Sequence, residues 1–194
     1  GDVAIGHTRY STAGSSVLAN AQPILAGYRE GPLALGHNGN LTNAAALRSD
    51  LVAKGSIFQT SSDSEVLIHL IARSEAREPE DQLLDALERV EGAYSLVVTI
   101  GRTLYAIVDP RGFRPLWLGK LGDGYVVASE TCAFDLIGAT PVRELQPGEF
   151  VRISGAPPGV DCLPALPAKP QRRCIFELGY FRRPGRPVFR RAVH

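Results

Sequence analysis

The stretch Leu33-Ala34-Leu35-Gly36-His37-Asn38-Gly39-Asn40-Leu41 sets a short apolar run directly against a side-chain amide and a glycine. A strand over Pro32–Gly36 that gives way to Asn-Gly predicts a sharp change of backbone direction, because glycine adopts φ > 0 at little cost. Such a turn would leave the Asn38 carboxamide and the Gly39 backbone N–H free to converge on one point. Two converging donors form an oxyanion hole, each worth roughly 3–4 kcal/mol to a tetrahedral acyl intermediate. The same dipeptide after a strand also describes a plain hairpin turn. The chemical reading therefore needs a substrate site around it.

Two further segments have the composition of such a site. Gly6-His7-Thr8-Arg9-Tyr10-Ser11-Thr12 ends the apolar run Val3-Ala4-Ile5 with an arginine and two hydroxyls, which suits a bidentate grip on a carboxylate. An arginine at a strand end is also an ordinary surface charge. Phe58-Gln59-Thr60-Ser61-Ser62-Asp63-Ser64-Glu65 leads into the apolar run Val66–Ala72, which predicts a buried helix. Ser62 as N-cap with Glu65 three residues on fits a capping box, with Asp63 complementing the helix dipole. The alternative makes Asp63 the anion that receives a substrate ammonium. An arginine for a carboxylate, an aspartate for an ammonium and an oxyanion hole together describe a free α-amino acid whose side-chain carbonyl is attacked.

Several runs carry a family resemblance and occur in the family's order. They are Arg9-Tyr10-Ser11-Thr12-Ala13-Gly14-Ser15-Ser16, Asn20-Ala21-Gln22-Pro23, His37-Asn38-Gly39-Asn40-Leu41-Thr42-Asn43-Ala44 and Thr60-Ser61-Ser62-Asp63-Ser64-Glu65. Asp109-Pro110-Arg111-Gly112-Phe113-Arg114-Pro115-Leu116, Ala128-Ser129-Glu130-Thr131-Cys132-Ala133-Phe134-Asp135 and Cys174-Ile175-Phe176-Glu177 follow. The chain resembles the glutaminase domain of the glutamine phosphoribosylpyrophosphate amidotransferases, within the N-terminal-nucleophile (class II) glutamine amidotransferases. The resemblance runs through nearly the whole sequence and weakens in the proline-rich residues 156–170. The runs at 11–16 and 40–44 favour this purine-pathway type over the glucosamine, asparagine and glutamate synthase relatives.

The resemblance implies a role for each matching residue. Arg9 would hold the glutamine α-carboxylate and Asp63 the α-ammonium, with Thr12 lining the pocket and Asn38 with Gly39 forming the oxyanion hole. The family's nucleophile is an N-terminal cysteine whose own amine is the base. This chain opens Gly1-Asp2, and Cys132, Cys162 and Cys174 all lie in its second half. The sequence is therefore expected to be a fragment that lacks the first strands and the catalytic cysteine, and to be inactive by itself. Cys174 matches a position at which some members supply one ligand of a [4Fe–4S] cluster, and others carry no cluster. No cofactor is expected in the fragment, a cluster and Mg2+ belonging to the full-length protein. The implied partners are glutamine, phosphoribosyl pyrophosphate through a phosphoribosyltransferase domain outside this sequence, and further copies of the chain. Two other readings stay open: another class II amidotransferase, such as the glucosamine-fructose-6-phosphate type, and a catalytically silent glutamine-binding domain.

Composition agrees with a globular enzyme domain. The 194 residues are 44% hydrophobic with a formal net charge of +1, which argues against a disordered tail, a nucleic-acid binder or a membrane-surface protein. No apolar run reaches membrane-spanning length, and no signal peptide is visible. Three unevenly spaced cysteines make no disulfide framework, pointing to a reducing cytoplasm. Cys132 and Cys162 read as incidental thiols, His7 and His37 as packing or hydrogen-bonding residues, and Asp109–Pro115 chiefly as a turn.

The pattern predicts strands at Val3–Thr8 and Pro32–Gly36, then a helix from Asn43 to Lys54 that Gly55 ends. Helices at Ser64–Ser74 and Glu80–Val90 follow. Strands are expected at Tyr94–Ile100, Thr103–Val108, Leu116–Leu118 and Tyr125–Ala128, a short helix at Ala133–Ile137, and strands at Val142–Leu145 and Phe150–Ile153 around a Pro147-Gly148 turn. Strands, helices and strands again make an α+β fold. The resemblance implies the four-layer α/β/β/α sandwich of the N-terminal-nucleophile hydrolases, incomplete at its N-terminus. Residues 1–154 would form the glutaminase domain, and 155–194, rich in proline and arginine, a connector towards the phosphoribosyltransferase domain.

Overall fold

A strand that is apolar on both faces needs a layer on each side. In β4 (Thr103–Val108), Leu104, Ala106 and Val108 enter one buried cluster, and Tyr105 and Ile107 enter another. The computed structural model describes residues 2–8, 17–155, 157–164 and 166–172, and the backbone of 187–188 and 191–192. Its central layer is a six-stranded antiparallel sheet in the order β1-β2-β3-β4-β8-β9. The strands are β1 (Ile24–Tyr28), β2 (Gly31–Leu41), β3 (Gly92–Ile100), β4, β8 (Phe150–Ser154) and β9 (Gly159–Leu163).

Three helices cover one face: α1 (Ala44–Ala53), α2 (Ser64–Arg73) and α3 (Pro79–Arg89). Val66, Leu67, Leu70 and Ile71 of α2, with Leu83 and Leu87 of α3, pack on Leu33, Leu35, Leu96 and Val98 of the sheet. The end of α1 is set by Gly55 in the left-handed region at φ +86, which a residue with a Cβ adopts only under strain. The Gly55 N–H reaches the Val52 carbonyl and the Ser56 N–H the Leu51 carbonyl, each at 2.9 Å, a Schellman closure. On the other face lies a three-stranded sheet, β6-β5-β7, built from β5 (Trp117–Leu121), β6 (Gly124–Ala128) and β7 (Thr140–Glu144). Leu116, Leu118 and Leu145 meet Ala106, Val108 and Val151 between the sheets. A short α4 (Cys132–Ile137) closes the outer face, its buried Phe134 ring seated where Gly119 leaves room. The layers thus run α/β/β/α, as expected. Among the described residues no helix is long and apolar enough to cross a membrane.

Several expectations are corrected. The strand beginning near Pro32 does not stop at Gly36 but continues through Asn38 and Gly39 to Leu41, paired throughout with β3. Asn-Gly is therefore no turn. Val3–Thr8 shows alternating burial but joins no ladder among the described residues. The capping box does not form: the helix starts at Ser64, and the Glu65 carboxylate accepts the N–H groups of Gln59 and Thr60 instead. Strand β1 was not anticipated. Nor was β9, where a connector was expected from residue 155. The chain after it still returns to the domain, with the N–H groups of Lys169 and Arg172 on the carbonyls of Pro110 and Arg111. The Asp109–Pro115 segment turns between the two sheets, and its Arg114 and Pro115 reach the wall of the cavity between them. The buried Asp109 carboxylate accepts N–H groups of Tyr94, Arg111 and Phe113, and burial holds its pKa above the usual carboxylate range.

Candidate functional site

Strand alternation decides what β2 presents to each side. Leu33, Leu35 and Leu41 point to the helices, whereas Gly36 and Asn38 line a cavity of about 760 Å³ opening between the sheets. That volume lies within the roughly 300–1,000 Å³ of small-molecule sites. Its walls come from separate elements: Gly36–Gly39 of β2, Ser95 of β3, Ser62-Asp63 ahead of α2, Gly6–Thr8, and Arg114 and Glu130 on the side of the second sheet. Asn38, Gly39 and Asp63, chosen from sequence as site residues, are thus brought together. Arg9, Thr12 and Cys174 lie outside the described residues.

Gly39 is a glycine because two strands nearly touch there. A Cβ at Gly39 would sit 2.0 Å from the Ala93 carbonyl oxygen and 2.8 Å from His37 Nε2. Only a hydrogen fits. His37, on the helix side of the same strand, is buried, with Nδ1 2.9 Å from Ser64 Oγ and Nε2 3.4 Å from the Ala93 carbonyl. A carbonyl can only accept, so Nε2 carries the proton and Nδ1 accepts the Ser64 hydroxyl. Burial draws the His37 pKa below the ordinary imidazole value, with Asp63 pulling the other way. The expected hydrogen-bonding role of His37 holds, and its ring underlies Gly39.

Asp63 does not cap α2 with its side chain. One carboxylate oxygen accepts the Leu41 N–H at 2.8 Å, and the other lies 3.4 Å from Ser64 Oγ. A carboxylate offers about four acceptor positions. The remaining ones leave room for a cationic donor from the cavity, and the side chain is 14% exposed. The irregular segment before Asp63 is fixed by side chains in place of a ladder. Arg48 of α1 donates to the carbonyls of Thr60 and Ser62 at 2.9 and 2.8 Å, with its guanidinium 4.0 Å over the Phe58 ring. Gln22 and Ser95 of the cavity wall were not singled out from the sequence. Gln22 was within reach, since it sits in the quoted run Asn20–Pro23. Ser95 carries no local signal, because only its register opposite Asn38 places it.

Cys132 and Cys162 do not act together. Cys132 Sγ is 3.4 Å from Glu130 Oε2 at the start of α4, and Cys162 lies on β9 beside Arg143 and Glu149. Among the described residues no three His, Cys, Asp or Glu side chains gather as metal ligands.

The sequence matches the family described as "Glutamine amidotransferase domain" over residues 7–135. The chain belongs to that family. As a glutamine amidotransferase domain it is 52% identical over its whole length to amidophosphoribosyltransferase 2, chloroplastic, of Arabidopsis thaliana, covering 34% of that protein. It is 51% identical over 155 residues to the amidophosphoribosyltransferase of Bacillus subtilis, covering 79% of this chain and 33% of that one. The solved glutamine phosphoribosylpyrophosphate amidotransferase of B. subtilis, complexed with ADP and GMP, matches with a TM-score of 0.82 at 44% identity, over 92% of this chain and 38% of that one. This glutamine amidotransferase domain thus spans about a third of the length of those curated relatives.

Proposed function

We propose that the chain is the glutamine-hydrolysing domain of an amidophosphoribosyltransferase. It releases ammonia from the glutamine side chain for transfer to phosphoribosyl pyrophosphate, giving 5-phosphoribosylamine in the first committed step of purine synthesis. The supporting observation is the convergence of Asn38, Gly39 and Asp63 on one cavity, in a chain whose relatives bear that enzyme's name. In this reading Asp63 takes the α-ammonium and Arg9 the α-carboxylate, while Thr12 lines the pocket. The scissile amide then faces Asn38 and Gly39, whose donors stabilise the oxygen as it gains charge. The nucleophile is the family's N-terminal cysteine, and phosphoribosyl pyrophosphate binds elsewhere in the full-length protein.

Two variants of the full-length enzyme test this. Asp63→Ala should raise KM for glutamine by an amount worth about 2–5 kcal/mol, because it unpairs a charge in a partly enclosed site. Asn38→Ala should lower kcat roughly 10²- to 10³-fold with less change in KM. Externally supplied ammonia bypasses the pocket, so the ammonia-dependent rate should stay at the parent level. Equal loss of the glutamine- and ammonia-dependent rates would refute the reading.

A further inference from the structure

The run Asn20-Ala21-Gln22-Pro23 belongs to no part of the proposed chemistry, yet it touches both halves of the site. Asn20, fully buried, donates from Nδ2 to Ser61 Oγ at 2.8 Å and accepts the Ser61 N–H on Oδ1 at 2.9 Å. Ser61 stands two residues before Asp63. Gln22 accepts the His37 N–H on Oε1 at 2.6 Å, and its Nε2 lies 3.4 Å from Ser64 Oγ. His37 precedes Asn38, and Ser64 follows Asp63. Residues two apart in the chain therefore hold the loop that carries the ammonium anchor and the strand that carries the oxyanion donors.

Accepting the glutaminase reading, we infer that Asn20 and Gln22 are positioning residues that set Asp63 and Asn38 at the separation a bound glutamine needs. The two ends of an amino-acid substrate are gripped by different elements, an irregular loop and a β-strand. Buried backbone donors outside a ladder need a partner, and a displacement of about 1 Å between catalytic groups can cost on the order of 10²-fold in rate. Asn20 acts on the binding end, and Gln22 chiefly on the reacting end, its bond to the His37 N–H being far shorter than its contact with Ser64. Their removal should give different kinetic signatures.

In the full-length enzyme, Asn20→Ala should raise KM for glutamine about tenfold with kcat within about threefold, as expected for two lost hydrogen bonds. Gln22→Met keeps the volume but strands the His37 N–H, and should lower kcat about 10- to 100-fold with a smaller change in KM. The ammonia-dependent rate should hold in both. Ser61 is exposed, so Ser61→Ala removes one bond of the pair while leaving the Asn20 side chain and its bond to the Ser61 N–H in place, and should raise KM about threefold. Asn20→Ala or Ser61→Ala with parental KM would overturn the inference. So would the glutamine- and ammonia-dependent rates falling equally with the thermal midpoint, the signature of a merely structural role. Asp63→Ala measured alongside separates the two levels. If it leaves KM unchanged the glutaminase reading falls, and if it raises KM while Asn20→Ala does not, only the positioning role falls.

Discussion

His37 is held neutral by its surroundings: a hydroxyl on Nδ1, a carbonyl facing Nε2, and a ring that is buried. Its pKa lies below 6.5 in the folded protein, chiefly through burial, and returns to the ordinary value on unfolding. The unfolded chain therefore binds a proton that the folded one refuses. Stability is undiminished above about pH 6.5 and falls progressively as pH drops from there towards the depressed folded value, by up to about 1.4 kcal/mol per pH unit. Asp63, 3.9 Å from Nδ1, offsets part of this. Urea unfolding of parent and His37→Gln between about pH 7.5 and pH 5 should show the variant with the flatter pH dependence. Other titrating groups cancel in the comparison, and equal slopes would show that His37 is not the group responsible.

At the scale of elements, β2 shows why some of the fold was legible and some was not. The helices were, because Leu83 and Leu87 recur at helical spacing and Gly55 marks the end of α1 through its own backbone. Asp63, singled out between serines at the head of an apolar run, lies on the cavity wall. Asn38-Gly39 was misread as a turn because the reason for the glycine lies elsewhere, in the Ala93 carbonyl on β3. Strands β1 and β9 escaped because Pro23 and Gly27, and then Pro157 and Pro158, mask short runs that pairing alone stabilises. The Asn20–Ser61 pair, 41 residues apart, has no local signature at all. The close approach at Gly39 has its own consequence. Gly39→Ala must part β2 from β3, because the added methyl would overlap a backbone atom that cannot rotate away, and should cost about 3 kcal/mol or more. A chemical-denaturation midpoint equal to the parent's would mean that the two strands separate at little cost.

For the whole molecule, the two sheets and their helical layers build a cavity lined by Asn38, Gly39 and Asp63. No cysteine lines that cavity among the described residues. Ser64, whose hydroxyl lies on His37 Nδ1, is wholly buried and is not among the residues that line the cavity. Amide hydrolysis through a covalent intermediate needs a nucleophile and a base at hydrogen-bond reach of each other. The 194 residues by themselves should therefore fold around the pocket but release no glutamate from glutamine. Fusing them behind the amino-terminal region of the B. subtilis relative, which is 51% identical over 155 residues, should restore turnover if that region brings the family's cysteine to Asn38 and Gly39. Glutamate release by the unfused chain above a no-protein blank would place the nucleophile inside this sequence. Cys132, whose Sγ lies beside a carboxylate of the cavity wall, would then be the first thiol to replace.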